Sequence, residues 1–384
     1  MPASGAEERA IRDLGEFAWS FYGQARTGDQ NFVYSPYSIA VACAMLSAGA
    51  VGQTLAEIRA ALKFSQTGER LHDAHNALGR LLESRNCEAT ERSSGQTLRV
   101  ANDFWMRRDL TPAQAFLETL ARSYDSGMHL AAFDSDPEGA RRAINDKVRN
   151  DTGGLIRELL VEGRVDRNTV FVLTNALYFR GRWEHVFSKS ETRSLPFTTL
   201  DGARVDVPTM HGPMMRGRYA SGDGYIAVSL PYAQKQLEMV FLVPDAGTFA
   251  KFVETLDART VETMISGLKG AYLDIWLPSF EITAEVSLKQ ELIEAGMTRA
   301  FHPGMAEFPL IGNGIFVNDA LHQARLVLDE EGTEAAAATA FLGVVSGARV
   351  LAQPIPVRID RPFVFFLRDV SEAVLFVGHV VDPR

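Results

Sequence analysis

Cysteine is nearly absent. Cys43 and Cys87 are the two in 384 residues, too few for a disulfide framework. Cys43 lies in the apolar run 39–46 and reads as core, whereas Cys87 lies in a polar connection, so the two are expected to stay unpaired. No apolar run reaches the roughly 18 residues of a membrane-spanning helix, which excludes that class. The N-terminus, MPASGAEERAIRDLGEFAW, has no basic start followed by an apolar stretch, so it shows no signal peptide. The expected location is cytoplasmic, or extracellular or periplasmic if a leader has been removed. Positive charge is also in deficit. A net charge of -9 and a pI of about 5.5 argue against nucleic acid as a partner.

Catalytic signatures are missing as well. The chain has no GxSxG elbow, HExxH, Walker A or dinucleotide GxGxxG, so nothing supports a hydrolase working with its own Ser and His residues. His72 and His75, three apart on an expected helix, come nearest to a metal pair. Without a third ligand they read as a surface pair, and no metal or cofactor is called for. Asn150-Asp151-Thr152 forms a glycosylation-type sequon of a kind that arises often by chance. Arg107-Arg108 reads as a solvated strand end.

What remains is an ordinary globular composition, 46% hydrophobic and 23% charged, with material for a large core. Helical periodicity marks residues 7–25, with apolar positions at Ile11, Leu14, Phe17, Ala18 and Phe21. Ser35-Pro36 predicts a cap and first turn for a second helix. Thr54 to Glu57 reads as a capping box opening a third, and a weaker fourth spans 69–82. Thr111-Pro112 and Asp136-Pro137 predict helix starts near 112 and 137. Residues 169–179 (TVFVLTNALYF) read as a central strand covered on both faces. Short strands fill 205–243, helices follow at 248–266, strands at 271–283 and a helix near 285–295. Two buried strands, 363–367 and 374–380, close the chain. Helices first and strands later favour an α+β fold. No linker or repeat divides the chain, so one domain over 1–384 is expected.

One stretch departs from loop chemistry. Residues 326–340, LVLDEEGTEAAAATA, open as a strand, turn polar at 329–331, and continue from Gly332 through a run of tiny residues. A surface loop is normally polar and Gly/Ser-rich. On strand alternation Thr333, Ala335, Ala337 and Thr339 share one face, all small and uncharged, while Glu334, Ala336 and Ala338 share the other. Such a face can slide between two strands without burying bulk or charge. An alanine-rich helix competes, since Ala has the best helix propensity; composition alone does not decide. His322 sits in a strand-like segment bound for the core, and a buried imidazole needs hydrogen bonds. A satisfied core histidine is the plain reading. Asn175 poses the same problem within 171–179, and Ser35 and Ser38 are available to complete a polar cluster with both.

Together these residues resemble the serpins, in particular an inhibitory member of bacterial type, over nearly the whole chain. The matching segments are 31–39 (NFVYSPYSI), 175–183 (NALYFRGRW), Leu230-Pro231-Tyr232, 239–244 (MVFLVP) and 277–282 (LPSFEI). Ala295-Gly296-Met297, Ala300-Phe301, His322-Gln323-Ala324, 329–339 (DEEGTEAAAAT) and 361–365 (RPFVF) complete the set. Each is weak alone, and their order and spacing are specific.

The resemblance implies three β-sheets, about nine helices and a metastable state with an exposed reactive loop at about 331–352. A serine protease would cut that loop and become acylated. The hinge, anchored at Glu330 and running from Gly332 to Thr339, would then enter the main sheet as a new strand. Ser35, Ser38, Asn175 and His322 fall where serpins keep a polar latch, and Trp183 where the loop first enters. Counting from Glu330 places the reactive bond at Ser346-Gly347. Val344, Val345 and Ser346 suit an elastase-like or subtilisin-like pocket; Arg349, beyond Ala348, suits a trypsin-like enzyme. A monomer is expected. The fourth helix lacks a dense basic stripe, which argues against glycosaminoglycan activation. The alternative is a non-inhibitory carrier or chaperone, a class that puts proline, charge or bulk into the hinge.

Overall fold

The structure is a computed structural model describing residues 5–26, 28–88, 95–124, 127–154, 157–333 and 353–384. Helix α1 (Gly5–Ala25) buries Ile11, Leu14, Phe17, Ala18 and Phe21 along one stripe. After strand β1 (Phe32–Tyr34), Ser35 caps α2 (Pro36–Ser47) by accepting from the Ser38 amide at 3.1 Å. Eleven of the twelve α2 residues are buried, so this helix forms the centre of the core. Helices α3 (Gly52–Ala61) and α4 (Glu69–Glu83) follow, then β2 (Gln96–Arg107), α5 (Gln114–Tyr124), β3 (Gly127–Ala131) and α6 (Pro137–Asp151). Asp136 caps α6 through the Gly139 amide at 2.9 Å, with Pro137 in the first turn, as its sequence predicts.

The second half is strand-rich: β4 (Phe171–Arg182), β5 (Arg193–Thr198), β6 (Arg204–Gly222), β7 (Tyr225–Pro231) and β8 (Leu237–Pro244). Helices α7 (Phe249–Glu254) and α8 (Ala258–Ser266) interrupt before β9 (Lys269–Pro278), β10 (Phe280–Ser287) and α9 (Leu288–Glu294). The chain closes with β11 (Leu321–Leu328), β12 (Gly332–Thr333), β13 (Ile355–Arg358), β14 (Phe363–Asp369) and β15 (Val374–Val380). Among the described residues there are nine α-helices, and the class is α+β.

The main sheet runs β10-β11-β12-β4-β2-β3. The other strands form one hydrogen-bonded network in which β6 breaks register between Gly212 and Met215, around Pro213. A bulge with a proline bends a strand and shifts its register, so β6 turns at this point from one sheet of the network into the next. Strand β5 pairs with its first half, β9 pairs along both halves and carries β13 on its far side, and β7, β8, β14, β15 and β1 extend from its second. The three expected sheets result. Strands β14 and β15 pair as expected and are almost wholly buried, which explains the apolar runs at 363–367 and 374–377. The large core covers one face of the main sheet, while α6 and a small cluster of Trp105, Phe133, Ile144 and Leu160 cover the other.

Four local expectations change. Thr54 does not cap α3: the helix begins at Gly52, and the Gln53 and Thr54 amides donate to Glu307 Oε2 at 2.9 and 3.2 Å. Thr54 Oγ1 accepts from the Glu307 amide at 3.0 Å. The reciprocal bonding of a capping box is thus supplied from 253 residues away. Helix α5 begins at Gln114 rather than Pro112, because the Ala113 amide is bound to Leu310 O at 2.9 Å. Residues 285–287 belong to strand β10, so α9 starts at Leu288. His72 and His75 are buried, not a surface pair. They share the inward stripe of α4 with Leu71, Leu78 and Leu82, and burial pushes their pKa values down to about 4 and about 3.

Candidate functional site

Gly332 and Thr333 form a two-residue strand inserted between β11 and β4. Gly332 lies opposite Arg182 and Thr333 opposite Gly181 on β4; Leu328 of β11 faces Thr333 from the other side. Only glycine fits the first position. At φ +152° a Cβ would stand 2.0 Å from the Gly181 carbonyl oxygen. Thr333 is 1% exposed, and its hydroxyl meets that of Tyr232 at 2.6 Å.

Trp183, at the end of β4, anchors the chain entering this slot. Its indole N–H donates to Asp329 O at 3.0 Å and its amide to Glu331 O at 2.9 Å. Its ring stacks on Tyr232, with centroids 4.6 Å apart. Asp329 Oδ1 accepts from the Glu331 and Gly332 amides at 2.8 and 3.1 Å, which shapes the turn before the hinge. Burial raises the Asp329 pKa, against those two bonds. Glu330 is held by the Phe187 amide at its carbonyl and by Thr192 Oγ1 at its carboxylate, at 2.9 and 2.6 Å.

Deeper in the sheet, His322 of β11 is 2% exposed and accepts at Nε2 from the Ser35 amide at 2.9 Å. Burial lowers its pKa to about 4, so the ring is neutral at pH 7 and can accept. The bond ties β11 to the N-terminus of α2. Ser35 Oγ is engaged by the Ser38 amide, whereas Ser38 Oγ is buried with no partner among the described residues. The Asn175 backbone lies in β4, opposite Asn102 of β2.

Of the residues singled out in the sequence, Glu330, Gly332, Thr333 and Trp183 come together at the slot entrance. Ser35, Ser38 and His322 cluster below it. Glu334, Ala335, Ala336, Ala337, Ala338, Thr339, Val344, Val345, Ser346, Gly347, Ala348 and Arg349 lie outside the described residues. Sequence reasoning missed Tyr232, Asp329 and Thr192. The Leu230-Pro231-Tyr232 triplet stands out in the sequence, but nothing there says that its tyrosine meets Thr333. Among the described residues no cluster of His, Cys, Asp and Glu could hold a metal ion. No helix among them is long and apolar enough to cross a membrane.

Known proteins share this fold. The family model for serpin (serine protease inhibitor) matches residues 12–383. This chain belongs to the serpin family. Among serpins, alpha-1-antitrypsin 1-5 of Mus musculus is 31% identical, over 99% of this chain and 90% of its own length. The native-state crystal structure of tengpin, a thermophilic serpin, superposes with a TM-score of 0.87 at 27% identity, covering 100% of this chain and 96% of that one. Thyroxine-binding globulin in complex with thyroxine gives a TM-score of 0.82 at 26% identity, covering 97% of this chain and 99% of its own.

Proposed function

We propose that this protein inhibits serine proteases as a suicide substrate. The observation that carries the reading is the seat of Gly332 and Thr333 between β11 and β4. Continued residue for residue, the register along β4 brings Gly343 opposite Phe171, and that along β11 brings Ala340 opposite Leu321. Ala335, Ala337 and Thr339 then follow Thr333 onto the core face, opposite the buried Leu326, Ala324 and His322. None brings bulk or charge, so insertion meets no desolvation barrier. Thr339 arrives beside the His322–Ser35 bond, which is why Ser35, Ser38, Asn175 and His322 act in this reading as a latch.

The target's serine attacks the carbonyl carbon of Ser346, the amine of Gly347 leaves, and an ester to the protease remains. Insertion must outrun hydrolysis of that ester. The nucleophile belongs to the target, so the protein is not an enzyme; residues 1–384 act as one domain and one monomer. Val344, Val345 and Ser346 suit an elastase-like or subtilisin-like pocket, and Arg349 a trypsin-like one.

Incubation with elastase, subtilisin and trypsin, followed by denaturing gels and intact mass spectrometry, tests the reading. A denaturant-stable one-to-one complex and a released peptide beginning near Gly347 are expected. The likeness to a thyroxine-bound serpin supports a second reading, a non-inhibitory carrier. Cleavage without a complex, giving a product no more heat-resistant than the intact chain, would favour the carrier.

A further inference from the structure

The connection between α9 and β11 contains the one asparagine of the chain that is followed by glycine, Asn313-Gly314. The pair forms an exposed turn, with Gly314 at φ +70° and open space where a Cβ would stand. Side chains of turn asparagines commonly hydrogen-bond to the backbone nearby. The Asn313 side chain makes no hydrogen bond among the described residues, and the Gly314 amide makes none either. Two reactive groups on adjacent residues are therefore unengaged: a carboxamide carbon and an amide nitrogen with no side chain to screen it.

Comparable pairs elsewhere are held. Asn31 Oδ1 accepts from the Val381 and Asp382 amides at 2.8 and 3.0 Å, and Asn145 Oδ1 from the Leu159 and Leu160 amides at 3.0 and 2.9 Å. In Asp201-Gly202 the glycine amide donates to Thr199 O at 2.9 Å, and Asp201 Oδ1 accepts from the Ala203 amide at 3.2 Å.

The chain on either side of the turn has no slack. Before it, Ile311 is fully buried, and a Cβ at Gly49 would lie 2.3 Å from its Cγ1. The Leu310 carbonyl accepts from the Ala113 amide at 2.9 Å. After it, Ile315 and Val317 are buried, and the Val317 amide donates to Ala300 O at 2.8 Å. The segment then runs on into β11, one wall of the insertion slot.

We propose that Asn313 is a site of spontaneous modification, passing through a succinimide to isoaspartate. The Gly314 amide nitrogen gives up its proton to solvent base and bonds to Asn313 Cγ, and the side-chain nitrogen leaves as ammonia. Water then opens the ring. Attack at Asn313 Cγ leaves aspartate. Attack at its main-chain carbonyl carbon leaves isoaspartate, whose backbone runs through Cβ and Cγ and is one atom longer. Water enters, ammonia leaves, and no oxidant is needed. Either product adds a negative charge, but only isoaspartate lengthens the chain between Ile311 and Ile315. An extra methylene in a packed region displaces its neighbours. The site is independent of the inhibitor reading, since neither the hinge nor the reactive loop contributes to it.

Holding the full chain at mildly alkaline pH and following it by peptide mass spectrometry tests the proposal. An isoaspartyl carboxyl methyltransferase with labelled S-adenosylmethionine reports the lengthened backbone. Residue 313 is expected to gain one mass unit about tenfold or more faster than any other asparagine, and to take up methyl label. Asn313→Gln should take up none. The labelled, aged chain should melt about 2 °C or more below the fresh chain. Freshly prepared Asn313→Asp, which carries the charge without the extra atom, should melt with the fresh chain. No conversion at 313, conversion no faster than at Asn150, Asn168 or Asn318, label persisting in Asn313→Gln, or an aged chain that melts like Asn313→Asp overturns the proposal.

Discussion

Single side chains decide whether the slot can be used. Thr333 is buried against Tyr232, and an arginine there would place an unpaired charge inside the sheet. Thr333→Arg is expected to convert inhibitor to substrate. The yield of covalent complex should fall by about tenfold or more, since 1.4 kcal/mol on the insertion barrier is already a factor of about ten. Gel quantification of complex against cleaved chain checks it, and unchanged inhibition would refute loop insertion. His322 makes a prediction in pH. Its folded pKa, about 4, lies below the ordinary value of 6.5, so the unfolded chain takes up the proton first. The stability it confers is complete above about pH 6.5 and is lost as pH falls towards 4, by roughly 3 kcal/mol in all. His72 and His75 act with the same sign. Urea midpoints measured between pH 7.5 and 5 should fall, and fall less in His322→Gln. An identical pH slope in that variant would remove His322 from the account. Its burial was legible from its strand context and Ser35 was among its candidate partners, but that the donor is the Ser35 backbone amide, 287 residues away, was not.

Among elements, helix α3 shows how a local signal can be overruled. Thr54 and Glu57 have capping-box spacing, yet Glu307 does the capping and Glu57 accepts instead from the Arg299 amide at 2.7 Å. Glu307→Ala should cost about 1 kcal/mol, a drop of about 2 °C in melting temperature for a chain this long. Thr54→Ala removes the reciprocal bond, from the Glu307 amide to Thr54 Oγ1. A loss confined to Thr54→Ala in thermal melts would return the cap to the local box. Helices α2 and α6 kept their predicted starts because Ser35 and Asp136 bond amides three residues on, within reach of any chain that turns there. Strand β12 is the opposite case. Two residues cannot hold themselves in a sheet, and Gly332 and Thr333 are strand only because β4 and β11 flank them.

For the whole molecule, the proposed insertion would add one more strand to the main sheet. The register along β4 accommodates about ten further residues beyond Thr333. At roughly 1 kcal/mol per backbone hydrogen bond and about 2 °C per kcal/mol, cleavage and insertion should raise the melting temperature by about 20 °C. Calorimetry of the chain before and after limited proteolysis in the loop measures this. A cleaved product melting with the intact chain would mean that the slot stays closed. The α+β class was legible in the sequence because helical and strand periods occupy different parts of the chain. The division into three sheets was not, since it depends on the break in β6 near Pro213 and on pairings between distant strands.

The sequence by itself determined what is local and periodic: the core stripes, the Ser35 and Asp136 caps, the buried closing strands, and a hinge face of small residues from Thr333 onward. Its ordered motifs also carried the family resemblance. Only the tertiary structure decided which groups meet across long stretches of chain. It put His72 and His75 inside, made Glu307 a cap, and bonded Tyr232 to Thr333. The physical reason is range. Propensity and periodicity act within a turn or a few residues, whereas these contacts depend on how packed elements are placed, which no short stretch of the chain encodes.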